Sequence, residues 1–247
     1  MCPILFTIGP FTVYAYGVMV ALAFIISTLL MQKYAPKMDI PKDKVIDLMI
    51  IVLLSGLIGA RLLHVAVNFR QYIGDPAEIF FINHGGLAVY GGFLFALPAG
   101  IIFLTRNNIP VWKAGDLIAP YLALGQAIGR IGCLLNGCCY GIPVDHHLPG
   151  IMLNGEGVLR FPVQILSALC LIAVFAVLRF MLEKGMFRNN LFLVYLALYS
   201  FQRFFTEFVR GDVDRLCCRL TASQLISIAV FVLSLLLLRW RYSHGKS

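Results

Sequence analysis

Leu117-Ile118-Ala119-Pro120-Tyr121-Leu122-Ala123-Leu124-Gly125-Gln126-Ala127-Ile128 runs for twelve residues without a charge, and the next turn reads Gly129-Arg130-Ile131-Gly132. The apolar run is a membrane segment, and Arg130 lies inside it. An arginine at such depth costs roughly 3 kcal/mol on insertion scales. It persists where it faces a polar cavity or an anionic partner. Arg61 and Arg203 repeat the pattern in two other apolar segments. Three intramembrane arginines suggest a protein that handles a negative group at membrane depth, for which a phospholipid phosphate is the obvious candidate.

Composition agrees with that reading. The chain has 247 residues, 60% of them apolar and 13% charged, with a mean hydropathy of +0.86. A soluble domain is about 25% charged. Seven apolar segments stand out, at 13–31, 46–68, 87–105, 115–136, 163–182, 190–209 and 221–240. Each reaches or approaches the roughly 20 residues that a helix needs to cross about 30 Å of hydrocarbon. Backbone groups in lipid must be satisfied internally, and the runs lack the two-residue alternation of a barrel. The expectation is therefore an all-α, polytopic protein of about seven transmembrane helices, one integral membrane domain over 1–247. The first segment is too long for a signal-peptide core and lacks a small-residue cleavage site after it.

Basic residues set the expected orientation. Lys33, Lys37, Lys42, Lys44, Arg106, Lys113, Arg179, Lys184, Arg188, Arg239, Arg241 and Lys246 fall on one side, and Arg70, Arg160, Arg210, Arg215 and Arg219 on the other. Twelve against five places the N-terminus outside and the C-terminus in the cytoplasm. The net charge of +8 is thus largely topological. No basic, aromatic stripe on a soluble module suggests nucleic acid. The two longer outward connections are 69–86 and 137–162. The second is rich in Gly, Pro and His and reads as irregular, even re-entrant, backbone lining a cavity. Gly125-x-x-x-Gly129, Gly137-x-x-x-Gly141 and Gly56-x-x-Gly59-Ala60 have the spacing of close helix contacts.

Three stretches carry candidate chemistry. Gly129 to Gly141 combines glycines that admit a ligand close to the backbone with the planar fork of Arg130, which matches phosphate bidentately, and with Asn136. In the sixth segment, Tyr199, Arg203, Glu207 and Arg210 fall on one helical face. Three ionisable groups on a transmembrane stripe mark a functional face, although Glu207 paired with either arginine would also hold helices together. Asn83-His84-Gly85-Gly86-Leu87-Ala88-Val89-Tyr90-Gly91-Gly92 is a Gly-rich approach to the third segment. Its Tyr90 is either a headgroup ligand or an interfacial belt residue.

Over nearly its whole length the chain resembles the prolipoprotein diacylglyceryl transferases, bacterial membrane enzymes that lipidate lipoprotein precursors. The matching elements, in order, are Tyr14-Ala15-Tyr16-Gly17, Gly59-Ala60-Arg61, Gly85 to Gly92, Gly129-Arg130-Ile131-Gly132 with Asn136 and Gly141, Pro162-Val163-Gln164, and the Tyr199 to Arg210 face. The resemblance implies a multi-pass protein of the bacterial cytoplasmic (inner) membrane. Its partners would be the bilayer, phosphatidylglycerol, and prolipoprotein signal peptides with a lipobox cysteine. It implies essential roles for Arg130 and Arg203, with Tyr16, Tyr199, Asn136, Gly141 and Glu207 around the cavity. Arg61, His84, Gly86 and Arg210 complete the expected binding set, and Tyr90 joins Glu207 as a candidate catalytic group. The chain departs from the family pattern at Cys133, where Asn is usual, at Cys138, where Glu is usual, and at Tyr90, where His is common. The usual His-Pro-x-Gln-Leu-Tyr-Glu stands here as Phe161-Pro162-Val163-Gln164-Ile165-Leu166-Ser167.

The implied reaction moves the diacylglyceryl group of phosphatidylglycerol to a cysteine thiol and releases glycerol phosphate. Arginines that bind the departing phosphate more tightly lower its barrier. The thiol must become thiolate, which nearby arginines favour. Glu207, His84 and Tyr90 are candidate bases, but two arginines one turn from Glu207 make it a poor proton acceptor and a better orienter. No metal or other cofactor is expected, because the phospholipid brings its own leaving group.

Alternatives remain open at this level. A paralogue could bind phospholipid or lipidate another acceptor. Transport is a further reading, although no inverted repeat is visible. The seven cysteines, Cys2, Cys133, Cys138, Cys139, Cys170, Cys217 and Cys218, raise thiol redox chemistry and a metal site. There is no Cys-x-x-Cys, and His146 and His147 lack a ligand spacing relative to the cysteines. A structural disulfide from Cys138 or Cys139 to Cys217 or Cys218 would clamp the loop after segment 4.

Overall fold

The computed structural model describes residues 3–8, 11–81, 85–145, 150–152, 157–213 and 220–244. In chain order the elements are β1 (Ile4–Ile8), β2 (Phe11–Tyr14), α1 (Ala15–Tyr34), α2 (Lys42–Val67), α3 (Phe69–Tyr72), α4 (Val89–Arg106), α5 (Val111–Asn136), β3 (Ile151–Met152), β4 (Leu159–Arg160), α6 (Val163–Glu183), α7 (Leu191–Phe208) and α8 (Ala222–His244). Each of the seven expected spans coincides with one long helix. Six of these helices are long and apolar enough to cross a membrane. The remaining one, α7, has 18 residues and carries Gln202, Arg203 and Glu207, which lower its hydropathy. Large apolar side chains point away from protein on these helices, with Phe93 71%, Leu97 64% and Leu169 60% exposed. Water would not tolerate such surface over whole helices, whereas hydrocarbon solvates it. The protein is a polytopic membrane protein.

The short strands were not legible in the hydropathy pattern. β1 and β2 form an antiparallel hairpin directly before α1, and β3 pairs with β4. The 137–162 connection is therefore held in part by sheet-type pairing, and the 69–86 connection contains α3 and a 3-10 turn at Pro76–Phe80.

The chain groups into two compact units, residues 1–31 with 115–247, and residues 32–114. In the second unit α2 and α4 cross at glycines. A Cβ on Gly59 would lie 2.5 Å from the Gly91 carbonyl oxygen and from the Phe95 Cβ, and a Cβ on Gly91 would collide with the Gly59 carbonyl. This is the close contact that small residues permit in membranes.

In the first unit α1 meets α5 at Gly125 and Gly132, where a Cβ would come 3.1 Å from Ser27 Oγ and 3.0 Å from Met19 Cβ. Ser27 donates to the Tyr121 carbonyl at 3.1 Å across the same contact. Tyr195 of α7 donates to Gln126 Oε1 of α5 at 3.0 Å. Asp116, buried on α5, accepts from the Leu191 amide at 2.8 Å and from the Asn189 amide, and so satisfies donors at the start of α7. Two glycine expectations are corrected. Gly129 meets no heavy atom within 4 Å of an added Cβ, so it borders open space rather than a helix contact. Gly137, at φ +72°, ends α5 as a left-handed cap instead of packing in a helix.

Candidate functional site

In the first unit the site is built around Glu207. It is buried near the end of α7, and its Oε2 takes Arg203 Nη2 at 3.0 Å and Arg210 Nη1 at 3.2 Å. Its Oε1 accepts from Thr221 Oγ1 at 3.1 Å, just before α8. Arg210 lies past the last turn of α7, yet the stripe expected along the helix is preserved through these bonds. Arg210 also grips Asp212 with two bonds of 2.9 Å. Burial alone would push the Arg210 guanidinium down, but Asp212 and Glu207 more than offset it, so its pKa is raised and it stays charged. Arg203 Nη2 reaches Ser223 Oγ at 3.2 Å, while its Nη1 is buried and has no hydrogen-bond partner among the described residues. A buried guanidinium N–H left unpaired is costly, and an anion would satisfy it.

Arg130 comes from α5, two residues before Gly132, and forms neither a hydrogen bond nor an ion pair among the described residues. Its charge acts on Arg203, Tyr16, Cys133 and Cys139. Tyr199 acts on Arg203 as well and stacks on Tyr195, with ring centroids 5.8 Å apart. Tyr16, Arg130, Tyr199, Arg203, Glu207 and Arg210 thus converge. Three arginines stand against the two carboxylates Glu207 and Asp212, which leaves positive charge in excess. Asn136 is the last residue of α5, close enough to the Cys138 thiol to act on it.

The loop after α5 is tied to the end of α7. Gly141 and Arg210 form an antiparallel bridge, Ile142 N donates to Val209 O at 3.0 Å, and Gly211 N donates to Tyr140 O at 3.0 Å. Gly141 has no room for a side chain: a Cβ would strike the Phe161 carbonyl and lie 2.9 Å from the Val209 carbonyl oxygen. It therefore acts through close backbone approach. Gln164, buried at the start of α6, donates to the Cys138 carbonyl at 2.8 Å. Cys133, Cys138 and Cys139 bring their Sγ atoms within 4.8 Å of one another. A hydrogen bond from Cys133, aided by Arg210 and Arg130 against burial, lowers the Cys139 thiol to about 6, whereas burial pushes the Cys138 thiol up. Beside the site along α7, an apolar groove of about 240 Å³ is lined by Ser200, Phe201, Phe204 and Phe205, with Ser227 and Phe231 of α8.

The second unit holds the other expected residues. Arg61 is buried, and each of its five N–H donors meets a backbone carbonyl. Nε bonds Ile79 at 2.9 Å, Nη1 bonds Gly85 at 2.5 Å and Gly86 at 3.0 Å, and Nη2 bonds Glu78 at 2.5 Å and Phe81 at 3.2 Å. The guanidinium also lies over the Tyr72 ring, 5.5 Å from its centroid. Arg61 therefore anchors the Gly-rich loop and has no N–H left for a ligand. Gly86 has φ +80°, and a Cβ there would lie 2.7 Å from His64 Nε2 and 2.8 Å from Arg61 Nη1. Tyr90 opens α4 and is 76% exposed. His84 lies outside the described residues, as do Cys217 and Cys218, the partners of the expected disulfide. Cys133, Cys138, Cys139 and Cys170 are free thiols.

Thr221, Ser223 and Asp212 escaped the sequence reading. Each is a common polar residue near a helix end, without a motif around it, and only its partner gives it meaning.

A family model described as prolipoprotein diacylglyceryl transferase matches residues 3–240. A phosphatidylglycerol–prolipoprotein diacylglyceryl transferase of Bacillus cereus (strain 03BB102) is 32% identical over 249 aligned residues, covering 97% of this chain and 92% of that protein. The enzymes of the same name from Bacillus thuringiensis subsp. konkukian (strain 97-27) and Bacillus anthracis show the same identity and coverage. With the partly buried arginine cluster drawn from α5, α7 and the residues just past α7, these likenesses lead to one conclusion: the chain belongs to the prolipoprotein diacylglyceryl transferase family.

Proposed function

We propose that this protein transfers the diacylglyceryl group from phosphatidylglycerol to the lipobox cysteine of prolipoproteins in the bacterial cytoplasmic membrane. One observation carries the reading at the level of the site. Arg130, and Nη1 of Arg203, come from different helices, lack partners among the described residues and interact electrostatically. Two like charges held together in a low-dielectric region repel, and a phosphate between them turns that cost into binding.

The phosphodiester of phosphatidylglycerol takes the space between the two guanidinium groups, with an acyl chain in the apolar groove of α7 and α8. The acceptor sulfur attacks the glyceryl carbon and the carbon–oxygen bond to phosphate breaks. The second negative charge that appears on glycerol phosphate is held by Arg130 and Arg203 more strongly than the single charge of the substrate. Glu207 orients Arg203 and Arg210 and does not take the proton: both its oxygens already accept from Arg203, Arg210 and Thr221. Tyr16, Tyr199, Asn136 and Gly141 shape the same cavity, and Gly86, with the loop that Arg61 anchors, positions Tyr90.

The test is a mass measurement. A lipobox peptide incubated with phosphatidylglycerol and this protein gains one diacylglyceryl group on cysteine. A peptide that stays unmodified while phosphatidylglycerol binds would leave a phospholipid-binding paralogue as the reading.

A further inference from the structure

Three thiols outside the phosphate-binding geometry have no assigned work. Cys133 sits on the last turn of α5. Gly137, at φ +72°, ends the helix, and Cys139 adopts φ +57°, a conformation uncommon for a residue with a side chain. The chain folds back over the helix end: Cys138 N donates to Cys133 O at 3.1 Å, and the Cys138 thiol points to the same carbonyl at 3.7 Å. The three Sγ atoms consequently lie within 4.8 Å of one another and are half-buried. Gln164 on the Cys138 carbonyl and the Gly141–Arg210 bridge hold the turn in place. Thiolates around zinc, with Zn–S bonds of about 2.3 Å in a tetrahedron, are about 3.8 Å apart. The observed separations exceed that value by at most about 1 Å.

We propose that Cys133, Cys138 and Cys139 form a three-thiolate zinc site whose fourth position receives the acceptor's cysteine thiolate. The proposal rests on the transferase reading for the identity of the fourth ligand. Soft thiolates select zinc over the common hard cations, and three protein ligands with one open position are the arrangement of a catalytic zinc. Three thiolates and a divalent ion carry one net negative charge, which suits a turn whose Cys139 feels Arg130 and Arg210. A thiol that binds such an ion loses its proton outright, to water, and stays nucleophilic. The bound sulfur then forms the carbon–sulfur bond as the carbon–oxygen bond to phosphate breaks, and the electron pair of that bond leaves with glycerol phosphate. The site supplies thiolate in a chain with Cys138 and Tyr90 at positions where a carboxylate and a histidine are usual in the family.

Cadmium is the probe, because its thiolate complexes absorb in the ultraviolet. Full-length protein in detergent, with Cys2, Cys170, Cys217 and Cys218 changed to Ser, is titrated with Cd²⁺. The expected result is a stoichiometric sulfur-to-cadmium band that is lost in C133S and in C139S. Adding a lipobox peptide with Cys changes the band, and the Ser peptide leaves it alone. Removing zinc from the enzyme with a chelator lowers transfer more than about tenfold, and zinc restores it. A disulfide among the three cysteines in the active enzyme overturns the proposal, as does a band indifferent to C139S or to the Cys peptide, or full transfer by protein shown to be metal-free. If transfer fails in every metal state while the band and its peptide response persist, the metal site stands and the transferase reading falls.

Discussion

Arg130, Arg203 and Arg61 are all arginines inside apolar helices, yet the structure gives them different work. Arg61 meets five carbonyls of its own unit, Arg203 splits between Glu207, Ser223 and an open position, and Arg130 is left for a ligand. The two open forks should not accept lysine, which keeps the charge but loses bidentate geometry. R130K and R203K are expected to lower transfer to a lipobox peptide by about 100-fold, the scale of losing one oxyanion donor. Wild-type rates in both would remove the phosphate assignment. Glu207 separates two roles by pH. As an orienter, its loss in E207Q lowers transfer by a similar factor at every pH. A base would instead let the rate recover once pH passes the free thiol value of about 8.5. A pH–rate profile of E207Q decides between them, and a flat deficit is expected.

At the scale of elements, glycine spacing was legible where two helices touch and misleading where a glycine borders a cavity or ends a helix. Gly59 and Gly91 carry the α2–α4 crossing because each faces the other's carbonyl. Valine at either position must part the helices, so G59V and G91V are expected to destabilise by about 1–3 kcal/mol, read as a lower midpoint in detergent unfolding. G129A meets open space, and its stability should stay within about 1 kcal/mol of the parent. The same spacing rule cannot tell these glycines apart, since it records periodicity along one helix and not the partner opposite. Asp116 makes a similar point. Its sequence context carries no motif, and it is the acceptor for amides at the start of α7, so D116A should cost about 1 kcal/mol or more in the same assay.

At the scale of the molecule, the distribution of basic residues predicts the N-terminus outside and the C-terminus in the cytoplasm. A reporter enzyme that works only in the cytoplasm, fused after Ser247, should be active, and one that works only outside should be silent. The seven apolar helices, the depth of the arginines and the Tyr199 to Arg210 face were determined by the sequence itself. Hydropathy and helical periodicity are properties of one segment, and lipid requires each segment to satisfy its own backbone. Tertiary structure decided which polar groups meet. It spent Arg61 on carbonyls, brought Thr221 and Ser223 to Glu207 and Arg203, and bent the chain at Gly137 so that Cys138 and Cys139 return to Cys133. Those outcomes depend on loop dihedrals and on partners far away in the chain, and neither leaves a repeat in the residues themselves.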